Sequence, residues 1–338
     1  MTSVIETAPL GYQWPTLDPF LFCVHHLDRY PEGNAHFGPA TSLAGRQIGS
    51  DFEVRDGWRM YHGDVVPGFP AHPHRGFETV TFARQGYIDH SDSLRAAARF
   101  GSGDAQWVTA GRGIVHSEMF PLLAADTPNP VELFQIWLNL PASRKMVEPY
   151  FTMLWSEDLG HHRIGDGSGA VEITTIAGAL DGVAPKAPPP DSWASRPDAD
   201  VAIWHMTFAP GSRWTLPAAS GESTRRCLYV FVGDAFSIGD EQIVPPTVAV
   251  LEPGPVELRA GDAACECLLL QGRPIGEPVA QHGPFVMNDR AGIEQAFADY
   301  RATEFGGWPW DRADPVHGDA GQGRFARLAD GTIVTPST

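Results

Sequence analysis

Two short motifs in the first half of the chain could bind a metal ion. His72 and His74 lie two residues apart in F-P-A-H-P-H-R-G-F, and His116 and Glu118 have the same spacing in G-I-V-H-S-E-M-F. Side chains two residues apart on a β-strand point to the same face of a sheet. Two such pairs on strands of one sheet or barrel would bring three imidazoles and a carboxylate together. The spacing therefore predicts a metal site made of these four residues.

The predicted donor set favours a catalytic ion over a structural one. Three imidazoles and one carboxylate leave two positions open in an octahedral shell, whereas structural zinc sites are closed, tetrahedral and often contain thiolates. Open positions allow a substrate or O2 to bind. Iron(II) is our preferred divalent ion, and the residue types leave Mn, Co, Ni, Cu and Zn open.

Several other polar residues lie near these motifs in sequence. Glu78 shares strand parity with the first histidine pair, which leaves open a fifth ligand, a partner of a ligand, or a structural salt bridge. Gln106 and Trp107 precede the second pair and are predicted to line the mouth of the site. His90 is predicted to hydrogen-bond a turn rather than to bind metal.

The remaining histidines are not expected to be ligands. Adjacent residues on a strand face opposite ways, so the two neighbouring pairs are predicted to lie at the surface. One further histidine stands alone in the second half of the chain. These residues are His25 and His26, His161 and His162, and the single His205.

The segments around the motifs have the pattern of short β-strands. Strand-like runs separated by Gly turns recur about every 8 to 12 residues, which indicates a barrel or a sandwich. A second block of such runs begins near Lys145 and contains no H-x-H or H-x-E. We predict an all-β chain with two β domains, residues 1–143 with the metal site and residues 144–305 without one.

The end of the chain differs from the rest. Asn288–Arg301 places Ile293, Phe297 and Tyr300 on one face of a helix, with Asn288 or Asp289 as its cap. Residues 306–338 are predicted to form an irregular tail.

Composition limits the classes of function. The formal net charge is -17, which argues against a direct nucleic-acid binder but allows a protein partner. The chain shows neither a signal-peptide pattern nor an apolar run of about 20 residues, so we expect a soluble, cytoplasmic protein without membrane contact. The four cysteines lack a disulfide framework and are expected to be buried and reduced: Cys23, Cys227, Cys265 and Cys267.

Five motifs along the chain agree with one known family. They are H-P-H-R-G-F-E-T-V-T, G-D-A-Q-W-V-T-A-G-R-G-I-V-H-S-E-M, I-W-L-N-L-P, K-M-V-E-P and E-P-V-A-Q-H-G-P-F-V-M-N. They strongly resemble the pirin family of the cupin superfamily, and the match runs from about Asp18 to Phe305. The segments 28–57 and 184–197 and the tail after Gly306 look longer than is usual in the family.

The resemblance implies a fold and a metal. The fold would be a bicupin, two antiparallel β-barrels of the jelly-roll type, with iron in the N-terminal barrel. The family's ligand positions match the four residues that the spacing selects: His72, His74, His116 and Glu118. Quercetin 2,3-dioxygenase activity and transcriptional co-regulation are both known among pirins. If the longer loops border the barrel mouth, the resemblance leaves the substrate open.

Three functions follow as hypotheses. The first is an iron-dependent dioxygenase that acts on a flavonol-like or other small enolic substrate, with O2 as co-substrate. In that scheme Glu118 is also catalytic, because it would accept the proton of the substrate's hydroxyl group. The second is a regulatory protein whose metal redox state controls the binding of a protein partner. The third is a cupin with a purely structural metal.

Overall fold

A computed structural model describes residues 3–165, 169–318 and 321–337, and these residues form mainly β-strands. The strands of the first half of the chain are β1 (Val4–Pro9), β2 (Gln13–Trp14), β3 (Phe20–Tyr30), β4 (Gly68–His74), β5 (Phe77–Gln85), β6 (Tyr87–Asp92), β7 (Ala97–Gly101), β8 (Asp104–Thr109), β9 (Ile114–Met119), β10 (Asn129–Asn139), β11 (Tyr150–Leu154) and β12 (Gly160–Ile164). The all-β prediction is confirmed.

The second half adds further strands and one α-helix, α1. The strands are β13 (Val171–Ala177), β14 (Ala202–Phe208), β15 (Arg213–Leu216), β16 (Arg225–Val232), β17 (Phe236–Ile238), β18 (Glu241–Ile243), β19 (Thr247–Leu251), β20 (Val256–Ala260), β21 (Cys265–Gly272), β22 (Ala280–His282), β23 (Phe285–Met287), β24 (Phe325–Arg327) and β25 (Ile333–Val334). Helix α1 spans Arg290–Thr303, and short 3-10 turns lie at Ala142–Arg144, Ser156–Asp158, Trp193–Ser195, Pro197–Ala199 and Glu304–Gly306.

The chain forms two compact units, each made of discontinuous segments. Unit one contains residues 25–135, 140–156 and 277–338, and unit two contains residues 1–24, 136–139 and 157–276. The domain limits expected from the sequence are continuous in the chain, and they stay a prediction.

Unit one contains two antiparallel sheets with a shared core. One sheet has the order β11-β8-β5-β10-β3, and the other has the order β25-β24-β7-β6-β9-β4. Strands β8 and β9 are buried along their whole length, and β5 is buried except at its end, which explains their apolar character on both faces. The core contains Ile88, Phe100, Val108, Leu133 and Met153.

Two glycines of the histidine motifs permit close backbone approach. Gly76 has a φ of 86°, and a Cβ atom there would lie 1.9 Å from the carbonyl oxygen of Val286. Gly113 has a φ of 139°, and a Cβ atom there would lie 2.5 Å from the ring of Phe305. Both positions therefore require glycine, because positive φ is unfavourable for other residues and their Cβ atoms would clash.

Unit two also consists of two antiparallel sheets with an apolar core. A seven-stranded sheet has the order β1-β19-β16-β21-β14-β13-β12, and a four-stranded sheet has the order β15-β20-β17-β18. Its core contains Met206, Phe208, Leu228, Leu258 and Leu269. The four cysteines of the chain are buried free thiols, as expected.

Helix α1 agrees with the prediction from the sequence. Asp289 caps it, because its carboxylate accepts a hydrogen bond from the N–H of Gly292 at 2.8 Å. Ile293 is buried, and Phe297 and Tyr300 pack against the cluster around Phe285. Among the described residues, none of the helices has the length and apolar character needed to cross a bilayer.

The tail differs in part from the prediction. Strand β24 pairs with β7, and β25 pairs with β24, so two short strands lie in the stretch expected to be irregular. Trp310 also packs near the end of β6, where its indole N–H donates to the carbonyl oxygen of Asp92 at 2.9 Å. Residues 319, 320 and 338 of the tail lie outside the described residues.

Candidate metal centre

Strands β4 and β9 position the four residues that the spacing selects. The two strands pair antiparallel, and His72 lies directly opposite His116. A register shift between Phe69 and His72 places Phe69 opposite Glu118. Directly opposed residues on neighbouring strands share one face, so this part of the sheet carries His72, His116, Glu118 and Phe69 on the same side.

Three imidazoles lie together as a group that could hold a metal ion. The candidate ligand nitrogens of His72, His74 and His116 all lie within 4.8 Å of one another. The ring centroids of His72 and His116 are 4.5 Å apart, and those of His74 and His116 are 4.9 Å apart. His72 is half-buried, whereas His74 and His116 are buried, so His72 is the most exposed of the three rings.

Backbone carbonyls orient two of the three rings. The Nδ1 atom of His72 lies 2.8 Å from the carbonyl oxygen of Pro70, and Nδ1 of His74 lies 3.3 Å from that of Pro284. A carbonyl oxygen only accepts, so Nδ1 donates in both rings and Nε2 keeps the lone pair of the neutral imidazole. A hydrogen bond made by Nδ1 fixes the tautomer in which Nε2 is free to bind a metal.

Burial keeps these imidazoles neutral. Desolvation lowers the pKa of His72 to about 4, despite the opposing effect of its hydrogen bond to the carbonyl oxygen of Pro70. It also lowers the pKa values of His74 and His116 well below 6.5, and the neighbouring histidines lower them further. Neutral rings at physiological pH have lone pairs available for a cation.

His116 gives the most direct sign that a metal fits. It is fully buried, and neither of its ring nitrogens has a hydrogen-bond partner among the described residues. A buried polar atom without a partner costs about 1 to 3 kcal/mol, so such atoms are rare unless a ligand completes them. The donor set and this orphaned ring are both consistent with a bound divalent ion.

Glu118 lies at the edge of the imidazole group. Its Oε2 atom is 3.9 Å from Nε2 of His116. The hydroxyl of Thr81 lies 2.9 Å from Oε1, and the side-chain amide of Gln135 donates to Oε2 at 3.4 Å. Burial raises the pKa of Glu118, although the hydrogen bond from Thr81 partly opposes the shift.

Two other candidates have different partners. Glu78 lies on β5 in the other sheet of unit one and accepts a hydrogen bond from Thr109 at 2.7 Å, and it is not one of the three residues whose ligand atoms lie together. His90 is fully buried on β6, with Nε2 3.1 Å from Oδ2 of Asp92. The other oxygen of Asp92 accepts from two backbone N–H groups of the following turn, so His90 supports that turn through Asp92.

Gln106 and Trp107 do not line an exposed mouth. Gln106 is 1% exposed and Trp107 is fully buried. Both residues lie on β8, which is buried on both faces, and Gln106 lies directly opposite Thr81 of β5. The amide of Gln106 has no hydrogen-bond partner among the described residues.

The other histidines have separate roles. The surface prediction is wrong for His26, which is buried with Nδ1 2.8 Å from the hydroxyl of Tyr61. His25 lies 2.9 Å from Glu132, and His205 lies 3.1 Å from Glu266 in unit two. His161 is exposed and His162 is half-buried.

Sequence reasoning missed the residues that hold Glu118. Thr81 and Gln135 lie on β5 and β10, and only the pairing of these strands brings them to the carboxylate. A signal was available for Gln135, because it is the first polar residue inside the apolar run L-F-Q-I-W-L. A polar side chain in a buried strand needs a partner, so its position indicated a buried polar site.

Comparison with known proteins agrees with this architecture. The family model described as Pirin matches residues 13–138, and the model of the Pirin C-terminal cupin domain matches residues 203–306. The chain is 34% identical to "Pirin" from Homo sapiens over 252 residues, which are 73% of this chain and 80% of that protein. It is 36% identical to "Putative quercetin 2,3-dioxygenase PA3240" from Pseudomonas aeruginosa over 242 residues, 70% of this chain and 80% of that protein.

A solved structure has the same fold. The crystal structure of quercetin 2,3-dioxygenase from Acinetobacter baumannii superposes with a TM-score of 0.69 at 25% identity and covers 90% of this chain and 99% of that one. The bicupin prediction is thereby confirmed. With two pirin domain models and a relative of 34% identity covering most of its length, the chain belongs to the pirin family.

Proposed function

We propose that the chain is a metal-dependent dioxygenase that acts on flavonol-like or related small enolic substrates, with iron(II) as its metal. The observation that supports this most is the group of three neutral imidazoles beside a buried carboxylate, with His72 as the most exposed of the three rings. Relatives named as putative quercetin 2,3-dioxygenases support the substrate class.

Four residues would hold the ion: His72, His74, His116 and Glu118. The bound ion would supply Lewis acidity and redox chemistry toward O2. The protein's own part is to keep the three rings neutral and oriented. Glu118 would accept the proton of the substrate's hydroxyl group, since it is the buried carboxylate beside the imidazole group.

The test combines metal analysis with flavonol oxidation. Purified protein is loaded with iron(II) without O2, mixed with quercetin, and then exposed to O2 while flavonol absorbance and O2 uptake are followed. We expect consumption of both, and we expect His116→Ala to lose the metal and the reaction. His161→Ala, which removes an exposed histidine, is the control and should retain both. Absence of turnover with iron and with each of Mn, Co, Ni and Cu would contradict the proposal.

A second candidate is a regulator whose metal redox state controls a protein partner. The hydrogen bond between His74 and the carbonyl oxygen of Pro284 favours it, because this contact joins a metal ligand to the segment that leads into β23 and α1. Such a protein would capture a partner differently in its Fe(II) and Fe(III) states while turning over no substrate. Pull-downs under reducing and oxidising conditions separate it from the enzyme.

A further inference from the structure

Phe69 links the imidazole group to two further aromatic rings. Phe69, which lies opposite Glu118 on the paired strand, has its ring centroid 6.4 Å from that of His72. Its ring also lies 6.0 Å from His62 and 6.4 Å from Phe52. Phe52 and His62 meet edge to face at 4.9 Å. Phe52, His62 and Phe69 are called the aromatic wall below.

The aromatic wall is accessible. Phe52 is 36% exposed, His62 is exposed and Phe69 is half-buried. Accessible aromatic rings that contact one another are typical of binding surfaces, because aromatic side chains offer broad apolar area with few rotatable bonds. Phe52 and His62 belong to the long loop between β3 and β4, and Phe52 lies within residues 28–57, the segment that looks longer than is usual in the pirin family.

Buried polar contacts hold this loop in place near Phe52. Asp51 accepts hydrogen bonds from the guanidinium of Arg46 and from the backbone N–H of Met60, both at 2.9 Å. The guanidinium carbon of Arg46 lies 3.3 Å from the ring centroid of Trp58. Because Asp51 ties together two distant parts of the loop, the backbone at Phe52 is fixed before any ligand arrives.

A second set of contacts fixes the backbone at His62. The hydroxyl of Tyr61 donates to Asp28 at 2.6 Å, and Arg59 donates to the same carboxylate at 3.0 Å. Asp28 is fully buried on β3, so the loop is anchored to the sheet immediately before His62. A site held by such contacts binds without a large ordering cost.

His62 adds a polar function to the aromatic wall. Its Nδ1 atom lies 2.7 Å from the carbonyl oxygen of Gly49 and therefore donates. In the neutral ring Nε2 is then a hydrogen-bond acceptor.

We propose that the aromatic wall selects planar aromatic substrates that carry an acidic hydroxyl group. Phe52 and Phe69 contact the substrate's rings face to face or edge to face. Nε2 of His62 accepts a hydrogen bond from the substrate's hydroxyl group. The inference rests on the proposed function in that the substrate's enol oxygen is directed to the ion. It assigns specificity to a loop that the metal site itself does not require.

The experiment measures ligand binding separately from turnover. Metal-loaded wild-type protein and the variants Phe52→Leu and His62→Asn are titrated without O2 with quercetin and with acetylacetone, an enol that has no aromatic ring. Asparagine can keep the hydrogen bond to Gly49 while it removes the ring and the acceptor. We expect each variant to bind quercetin about fivefold more weakly, the size of one aromatic contact, with acetylacetone binding and metal content unchanged.

Matched controls come from the same loop. Val54→Ala removes an exposed apolar side chain, and His36→Asn removes an exposed histidine, and both should bind quercetin as wild type does. Quercetin affinities of Phe52→Leu and His62→Asn within twofold of wild type would overturn the inference, as would wild-type protein that binds acetylacetone but not quercetin, or that binds neither.

The outcomes also separate this inference from the proposed enzyme function. Turnover of quercetin with unchanged affinity in both variants would leave the dioxygenase standing and remove the role of the aromatic wall. Weaker quercetin binding in the variants, with no turnover by any of the proteins, would support the role of the aromatic wall and contradict the dioxygenase.

Discussion

At the scale of single residues, Glu118 is held by the side-chain amide of Gln135 and by the hydroxyl of Thr81. Thr81 lies 2.9 Å from its Oε1 atom, and valine has the same shape without the hydroxyl. Because partners of metal-site residues typically affect activity by about 10- to 100-fold, we expect Thr81→Val to lower flavonol turnover about tenfold while the protein stays folded. Steady-state kinetics at saturating metal measure this.

Thr79 provides a matched control for Thr81. It lies two residues away on β5, is 1% exposed, and its hydroxyl has no hydrogen-bond partner among the described residues. Thr79→Val should therefore leave turnover unchanged, and stability should stay the same or increase. An equal loss of turnover in the two variants would show that the threonines act through packing and not through the hydrogen bond to Glu118.

His26 makes the stability of unit one sensitive to acid. Burial, aided by the charges of Arg59 and His25, lowers its pKa from 6.5 to about 3. The unfolded chain therefore binds this proton at a higher pH than the folded one, so the contribution is complete above pH 6.5 and is lost as the pH falls toward 3. The linkage amounts to about 2 kcal/mol of the free energy of unfolding between pH 8 and pH 5.

A variant isolates this contribution. His26→Asn removes the titrating group and can keep the hydrogen bond to Tyr61, so its free energy of unfolding should fall less steeply with acid than that of wild type. Urea unfolding at pH 8, 7, 6 and 5 measures the difference, with His36→Asn as the control. Parallel pH profiles for wild type and His26→Asn would rule out His26 as the cause.

At the scale of elements, local patterns predicted some features and could not predict others. The same-face pairs on β4 and β9 and the helix α1 follow from periodicities within a few residues, so the sequence alone indicated them. The partners of these residues come from distant strands, as with Thr81 and Gln135 beside Glu118. Only strand pairing determines such contacts, and a single sequence does not reveal the pairing.

Strand β7 shows a second reason why the sequence alone does not reveal every strand. Its sequence A-A-R-F-G is rich in alanine and includes a charge, a composition that does not indicate a strand. Arg99 is nevertheless fully buried, because it pairs with Asp89 at 2.8 Å and donates to the carbonyl oxygens of His317 and Gln322 in the tail. Tertiary contacts, and not intrinsic preference, make this segment a strand.

The buried arginine leads to a prediction about the tail. Arg99→Met would leave Asp89 without its ion-pair partner and would remove two hydrogen bonds to the tail. Breaking a buried pair costs about 3 to 5 kcal/mol, so we expect a lower melting temperature and faster proteolysis between residues 307 and 324. Arg301→Met, at an exposed position on α1, is the control. Unchanged proteolysis of the tail in Arg99→Met would show that β24 is held by its strand pairing alone.

At the scale of the whole molecule, the two units differ in what they could bind. Both are built from antiparallel sheets around an apolar core, but in the described part of the chain the imidazole group lies in unit one only. Repetition of a fold therefore does not repeat its chemistry, since the donor residues occupy only a few strand positions. The lack of H-x-H in the second block already indicated this asymmetry in the sequence.

The asymmetry predicts which strands lose stability when the metal is removed. A ligand stabilises the folded state that binds it, so chelation should destabilise the strands that carry the donors. Hydrogen exchange measured by mass spectrometry should become at least about tenfold faster in β4 and β9, while β14 and β21 of unit two stay within about twofold. His116→Ala should already exchange fast at β4 and β9 and respond little to the chelator, which controls for effects of the chelator itself. Equal acceleration in the strands of both units would mean that the ion stabilises more than the sheet that holds its ligands.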